Sequence, residues 1–223
     1  MKTEETNTGL KSSGSTISYW TDSVKSIKYS KLNTDLITDV VIVGGGISGV
    51  SIAYDLVMQG KKIVLIEDGY IGSGETGRTT AHLVTALDDR YYELERLFGE
   101  DGAKMAAQSH SAAIDHIEET IKRENIECDF ERLSGYLFLH DSDKKDSLEK
   151  EFDAATKAGV HVEKLNNIPG MNEEGGCLSF HRQAQFHIMK YMKGMCESIV
   201  KYGGKIYTET HADKIDQIGR AHV

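Results

Sequence analysis

Apolar residues recur along this chain with two different periods. Val40–Val43 and Lys62–Ile66 are short unbroken runs of mostly β-branched and aliphatic residues, the pattern of strands buried in a parallel sheet. Between them Ile47, Val50, Ala53, Tyr54 and Val57 return at helical spacing. That spacing predicts a helix over Ile47–Met58, closed by Gly60 as a C-terminal cap. Strand, helix and strand within about 30 residues make a βαβ unit with a right-handed crossover.

The rest of the chain alternates in the same way. A glycine-rich loop over Asp68–Gly77 leads into a mainly helical region from about Thr80 to Asn125, with Ile114, Ile117 and Ile121 as its apolar stripe. Ser134–His140 reads as a strand. Asp146–Ala158 reads as a helix with Leu148, Phe152 and Ala155 inward, and Gly159–Val162 restarts a strand. Phe186–Tyr202 is a helix carrying Ile188, Met192, Met195 and Ile199 on one side; Gly203-Gly204 stops it, and Lys205–Thr210 is a final strand. Residues 1–19 are polar and read as a mobile tail. Trp20, the sole tryptophan, lies in the segment Ser18–Ser23 ("SYWTDS") and is expected to pack on the domain surface as a clip.

Charge and composition narrow the function classes. With 26 basic and 35 acidic residues among 223, the net charge of −9 disfavours nucleic acid and anionic membrane as partners. The longest apolar stretch, Val40–Tyr54, is interrupted by glycine and serine and falls short of the roughly 20 residues of a membrane helix. The N-terminus has no apolar signal core and carries Glu4 and Glu5. Cys128, Cys177 and Cys196 form no C-x-x-C pair and read as reduced thiols of a cytoplasmic protein. The last six residues, Ile218–Val223 ("IGRAHV"), match a translated sequencing adapter, so 218–223 is expected to be a non-native tail and the natural frame to be cut near Gln217.

The chemistry is concentrated between the first strand and residue 80. Gly44-x-Gly46-x-x-Gly49 follows a strand and opens a helix, as the dinucleotide fingerprint requires. Gly44 allows the tight turn, Gly46 lets a pyrophosphate approach the backbone, and Gly49 lets helix and sheet pack closely. The amides of Ile47 and Ser48, at the positive end of the helix, are expected to face the phosphates. Glu67 closes the second strand, 18 residues past Gly49, where a carboxylate accepts from ribose hydroxyls and repels a 2′-phosphate. The loop that follows places Gly72, Gly74 and Gly77 just before Arg78, Thr79 and Thr80, a positive charge and two hydroxyls able to fold over a pyrophosphate or a flavin ring.

Four segments carry a resemblance: Asp39–Glu67, Gly72–Leu83 ("GSGETGRTTAHL"), Cys128–His140 and Leu178–Met195. On these residues the chain resembles the flavin-dependent oxidoreductases of the D-amino-acid-oxidase superfamily. It is most similar to the branch that begins with an S-x-W segment and ends in a Rieske iron–sulfur domain. The resemblance implies FAD, with Gly44, Gly46, Gly49 and Glu67 on its ADP half and Arg78, Thr79 and Thr80 near pyrophosphate and flavin. It also implies an α/β fold in which a Rossmann-like FAD-binding domain is interleaved with an α+β substrate domain, C-terminally incomplete here. The expected layout is a tail over 1–37 and an oxidoreductase region over 38–217. Within that region the nucleotide-binding parts are near 38–85 and 181–217, and the substrate sheet lies near 127–180.

A Rieske [2Fe–2S] centre needs two cysteines and two histidines, in the pattern C-x-H and C-x-x-H. Cys128, Cys177 and Cys196 are followed by Asp129-Phe130, Leu178-Ser179 and Glu197-Ser198-Ile199, so the cluster is expected only in a complete homologue. No catalytic set is visible. His82 reads as a structural loop residue, and His181 and His187 as wrapped or exposed, with no metal expected. The acidic pairs Glu118-Glu119 and Glu173-Glu174 read as solvated faces. The leading expectation is oxidation of a small amine, amino acid or hydroxy acid, the electron acceptor being illegible. An NAD-binding dehydrogenase module and an inactive nucleotide-binding fragment remain open.

Overall fold

The structure, a computed structural model, describes residues 17–140, 146–170 and 174–216, with the backbone alone at 174 and 175. The tail before residue 17, Glu173 and the expected non-native segment 218–223 lie outside the described residues.

Two sheets organise the chain. The first is parallel and three-stranded, in the order β1 (Val40–Val43), β2 (Ile63–Ile66), β7 (Lys205–Tyr207). Its central strand β2 is buried throughout. Helix α2 (Ile47–Met58) connects β1 to β2, as its apolar spacing predicts, and α5 (Ile188–Lys201) precedes β7. Both helices join one core with the sheet: Val50, Ala53, Tyr54 and Val57 from α2, Met192, Met195 and Ile199 from α5, and Ile42, Ile63, Leu65 and Ile206 from the strands. Gly60, at φ +78, reverses the chain after α2, and the Lys61 N–H returns to the Leu56 carbonyl.

β1 departs from the expected buried strand. Ile42 faces the core, but Val41 and Val43 point to the other face and are 55% and 58% exposed. The two helices cover one face of the sheet, and β1 is its edge.

The second sheet is antiparallel around a long strand, β6 (Glu174–Gln185). β4 (Glu131–Phe138) pairs along one edge of β6. β3 (His82–Leu83) and β5 (Val162–Asn167) share the other edge, at opposite ends. A bulge opposite Ser134 shifts the β4–β6 register between Leu133/Gln183 and Gly135/Phe180, and Arg182 within it has φ +60. β6 runs through the division expected near 180/181. Helix α3 (Tyr91–Glu124), broken at Gly99 with φ +75, and helix α4 (Ser147–Lys157) pack on this sheet. They do so through Tyr91, Ala103, Ala107, Ala154, Ala155, Leu178 and Phe180. The helical region expected from Thr80 therefore begins only at Tyr91; Ala81 and Arg90, both at positive φ, bracket a short strand and a loop before it. Glu118, expected on a solvated face, is instead paired with Arg132 and Lys122.

One acid is buried where the second sheet's helices meet. Glu151 of α4 is 1% exposed, and its Oε2 accepts from the Tyr91 N–H at 2.7 Å at the start of α3. Burial raises its carboxyl above the ordinary glutamate range, opposed by the Tyr92 and Tyr91 amides and by the charge of Arg90. A raised folded-state value means the folded chain holds this proton more tightly than the unfolded chain. The contribution of Glu151 to stability is thus full below the unfolded value of about 4.3 and declines as pH rises through the folded one. Glu151→Gln removes that slope, so the unfolding free energy of the variant relative to the parent should rise as the pH climbs from about 4 through the raised folded-state value. Denaturant titrations across that window check it; a constant difference contradicts it.

Candidate functional site

The turn leaving β1 is built from three consecutive glycines with three different duties. Gly44 has φ +108, a conformation side chains rarely adopt, and its N–H donates to the Ile66 carbonyl at 2.8 Å. Gly45 is buried: a Cβ there would stand 2.6 Å from Ile71 Cδ1 and 3.1 Å from Glu67 Cβ. Gly46 is the N-cap of α2 and has no side chain to cap it. A Cβ at Gly46 would meet only Thr76 Oγ1, at 3.3 Å, and one at Gly44 would meet nothing within 4 Å. The outside of the turn is therefore open, as a cradle for a pyrophosphate must be. Gly49 faces the opposite way: its Cβ would lie 2.0 Å from the Gly44 carbonyl oxygen, so the helix packs on the turn only because this side chain is absent.

Glu67 reaches into the same turn. Its Oε2 accepts from the Gly45 N–H at 2.6 Å and its Oε1 from the Gly69 N–H at 2.9 Å. Ser73 Oγ stands 3.4 Å from the same Oε1. The carboxylate is half-buried and held beside the glycine turn, with lone pairs to spare for a further donor.

The amides at the start of α2 divide. The Ile47 N–H, expected to face a phosphate, donates to Thr76 Oγ1 at 3.0 Å. Ser48 is exposed in the first turn, where amides have no carbonyl four residues back to receive them. No acidic side chain occupies that turn.

The glycine-rich loop closes as a 3-10 turn over Glu75–Arg78. Gly77 is buried; a Cβ there would stand 2.6 Å from the Gly72 carbonyl oxygen and 2.8 Å from Thr21 Cγ2, so its part is to let the loop fold tightly. Arg78 donates from Nη1 to the carbonyls of Ser73, at 3.0 Å, and Gly74, at 2.9 Å, which ties its charge to the loop's own backbone. Thr79 Oγ1 accepts from the Ala81 N–H at 3.2 Å. Thr80 is exposed and, with His82, lines a cavity of about 390 Å³ bordered by Tyr19, Trp20, Gln185 and His187.

Several residues of this site were not legible as such. Ser18 caps the short helix α1 (Tyr19–Asp22) and donates to the Gly77 carbonyl. Trp20 Nε1 donates to the Thr79 carbonyl at 2.7 Å, so the tryptophan clip grips the very loop that carries Arg78 and Thr80. His187 is 3% exposed and caps α5: its Nδ1 accepts from the Lys190 N–H at 3.3 Å, leaving Nε2 to donate to Ser23 Oγ at 2.9 Å. Burial, then the charge of Lys190, lowers its basicity and keeps it neutral. The sequence signal for these contacts was Ser18 and Trp20 themselves, polar and aromatic groups at an otherwise tail-like end. The cysteines take no part: burial pushes the Cys128 thiol up to about 11 and Cys196 to about 12, far from a thiolate nucleophile. Among the described residues no helix is long and apolar enough to cross a membrane.

Comparison with known proteins gives the family and the fold. The Bacillus subtilis protein YhfW, whose name marks it as a Rieske 2Fe-2S iron–sulfur protein, is 33% identical over 205 residues, covering 92% of this chain and 40% of its own length. The gamma-glutamylputrescine oxidoreductase of Escherichia coli is 30% identical over 200 residues, covering 86% of this chain and 46% of its own. The chain thus spans less than half the length of these relatives. Among solved structures, the L-α-glycerophosphate oxidase of Mycoplasma pneumoniae with FAD bound shares the fold, at a TM-score of 0.66 and 17% identity over 81% of this chain and 47% of that one. Residues 39–223 match the family described as FAD dependent oxidoreductase, and the chain belongs to that family.

Proposed function

We propose that this chain is the FAD-binding portion, with part of the substrate-binding portion, of an enzyme that oxidises a small amine, amino acid or hydroxy acid. The observation that carries the reading is the open glycine turn at Gly44–Gly46 with the Glu67 carboxylate fixed beside it. In this reading Gly44, Gly46 and the Ile47, Ser48 and Gly49 amides receive the pyrophosphate, and Glu67 accepts from the adenosine ribose. A negative charge at Glu67 disfavours a 2′-phosphate. Thr76 yields or shares the Ile47 amide when a phosphate oxygen arrives, because a charged acceptor outcompetes a hydroxyl. Gly77 and Arg78 hold the loop in shape, and Thr79 and Thr80 present it toward the cavity next to Trp20. Bound there, the flavin supplies acceptance of two electrons from a carbon bearing an amine or a hydroxyl. The second sheet, over about 127–180 and on to Gln185, serves as the substrate wall.

This chain is less than half the length of these relatives, so activity on such substrates is proposed for the longer protein it would be part of. A Rieske cluster finds no ligand set here and belongs to a longer homologue. The three thiols, unpaired and buried, suit a reducing compartment, and we read the protein as cytoplasmic, acting on a small molecule without nucleic acid or membrane.

Flavin binding is the test. Protein purified or refolded with FAD should retain about one flavin per chain, seen as visible absorbance that travels with the protein. Gly46→Val puts a branched side chain into the pyrophosphate's place and should remove that flavin while leaving the far-ultraviolet circular dichroism unchanged. Colourless parent protein that binds NADH instead contradicts the reading, as does stoichiometric flavin in Gly46→Val. Glu67→Ala should weaken FAD by about 1–3 kcal/mol, the cost of leaving buried donors unmatched. Fluorescence titration measures this, and an unchanged affinity removes Glu67 from the ribose.

A further inference from the structure

The second sheet holds a side-chain cluster that the nucleotide reading leaves unused. His161, at the entry to β5, stands across from His181 of β6. The His181 N–H donates to the His161 carbonyl at 3.0 Å, and the two ring centroids are 4.4 Å apart. Glu163, two residues further along β5, extends to the same spot. Its Oε2 lies 3.2 Å from His181 Nε2, and its Oε1 lies 3.9 Å from His161 Nε2. One donor atom from each of the three residues lies within 4.8 Å of the other two. Donor atoms about 2.1 Å from a tetrahedral ion stand about 3.4 Å apart, so the cluster is within a small side-chain rotation of a coordination set.

The bulge in β6 supplies the geometry. It sets His181 and Arg182 opposite Ser134, with Arg182 at φ +60, and turns the His181 ring beside His161. Ser134 Oγ is 3.4 Å from His181 Nδ1. With the proton on Nδ1 toward that hydroxyl, Nε2 keeps its lone pair, the usual tautomer of a metal-binding histidine. This Nε2 is shut off from solvent and makes no hydrogen bond, yet a carboxylate oxygen stands 3.2 Å away. An imidazole nitrogen and a carboxylate oxygen this close, yet not aligned as a hydrogen bond, are relieved by a positive charge held beside both. The neighbouring side-chain cations are engaged elsewhere: Arg132 with Asp115 and Glu118, Arg182 with Asp115, and Lys122 with Glu118.

We propose that His161, Glu163 and His181 form a site for a divalent transition-metal ion of the zinc class. Two imidazoles and one carboxylate suit zinc or cobalt rather than magnesium or calcium. An open cavity of about 820 Å³, lined by His161, His181 and Ser134, admits the water that completes the coordination. The ion clips β5 to β6 beside the bulge, away from the glycine turn, and its binding is independent of flavin.

The test uses the full chain stripped of metal. Zn²⁺ is titrated by calorimetry and Co²⁺ by visible absorption, with melting followed in parallel. One saturable equivalent is expected, with Co²⁺ bands of four- or five-coordinate nitrogen and oxygen ligation and a Tm that rises with Zn²⁺. His161→Ala removes a ligand whose side chain is 66% exposed, so the fold should survive while affinity falls about tenfold or more and the Tm rise disappears. Ser134→Ala should weaken binding roughly tenfold by freeing the His181 ring. Three results overturn the proposal: no saturable binding, which makes the His181–Glu163 contact a protonated ion pair only; binding of unaltered strength in His161→Ala and Glu163→Gln; or a cobalt–thiolate charge-transfer band, which assigns the metal to cysteine.

Discussion

The structure around the proposed nucleotide site depends on one carboxylate shared between two backbone turns. Glu67 ends β2 and accepts from the Gly45 N–H on one side and the Gly69 N–H on the other. That fixes the exit of β1 and the exit of β2 at one separation. It works only because Gly45 has no side chain, since a Cβ there would collide with Ile71. The start of α2 follows from the same constraint. Once the turn is held, Gly49 must lie against the Gly44 carbonyl; the Ile47 amide is then held by Thr76, and the next amides of the first turn have no carbonyl to receive them, which favours an anion there.

The loop beyond Glu67 is fixed from a distance. Ser18 and Trp20 hold the carbonyls of Gly77 and Thr79, Thr21 packs against Gly77, and Ile27 bridges to Ile71. Tyr29 and Thr208 then exchange hydrogen bonds, so the described N-terminal segment is stitched both to the loop and to the end of β7. Contacts of this kind set a binding loop in place before a ligand arrives, which lowers the entropy that binding must overcome. A segment that reads as a tail is thus tied from residue 18 onward to the loop beside the proposed site.

How much of this was legible differs by element. β1 stood out as an unbroken apolar run, although Val41 and Val43 are exposed; α2 and α5 stood out because an apolar stripe at helix spacing faces a single core, and Gly44, Gly46 and Gly49 are written into the fingerprint itself. β6 was not legible. Cys177–Phe180 is buried on both faces and the bulge at His181–Arg182 then shifts the phase, so no alternation survives. β3 is two residues long and carries no period. The roles of Gly45, Thr76 and Ser18 depend on what lies across the turn or on the other side of the loop, which spacing along the chain cannot convey. Arg78 shows the converse: a basic residue beside a candidate phosphate site, yet its guanidinium is turned back to Ser73 and Gly74.

The central claim is geometric: the glycine turn, the start of α2 and Glu67 together form the seat of an ADP moiety. A crystal structure of the chain with ADP tests it most directly. The account predicts the pyrophosphate against Gly46 and the amides that follow it, with a ribose hydroxyl on the Glu67 carboxylate. ADP bound elsewhere, or a Glu67 side chain turned away from the sugar while the turn stays vacant, would contradict it.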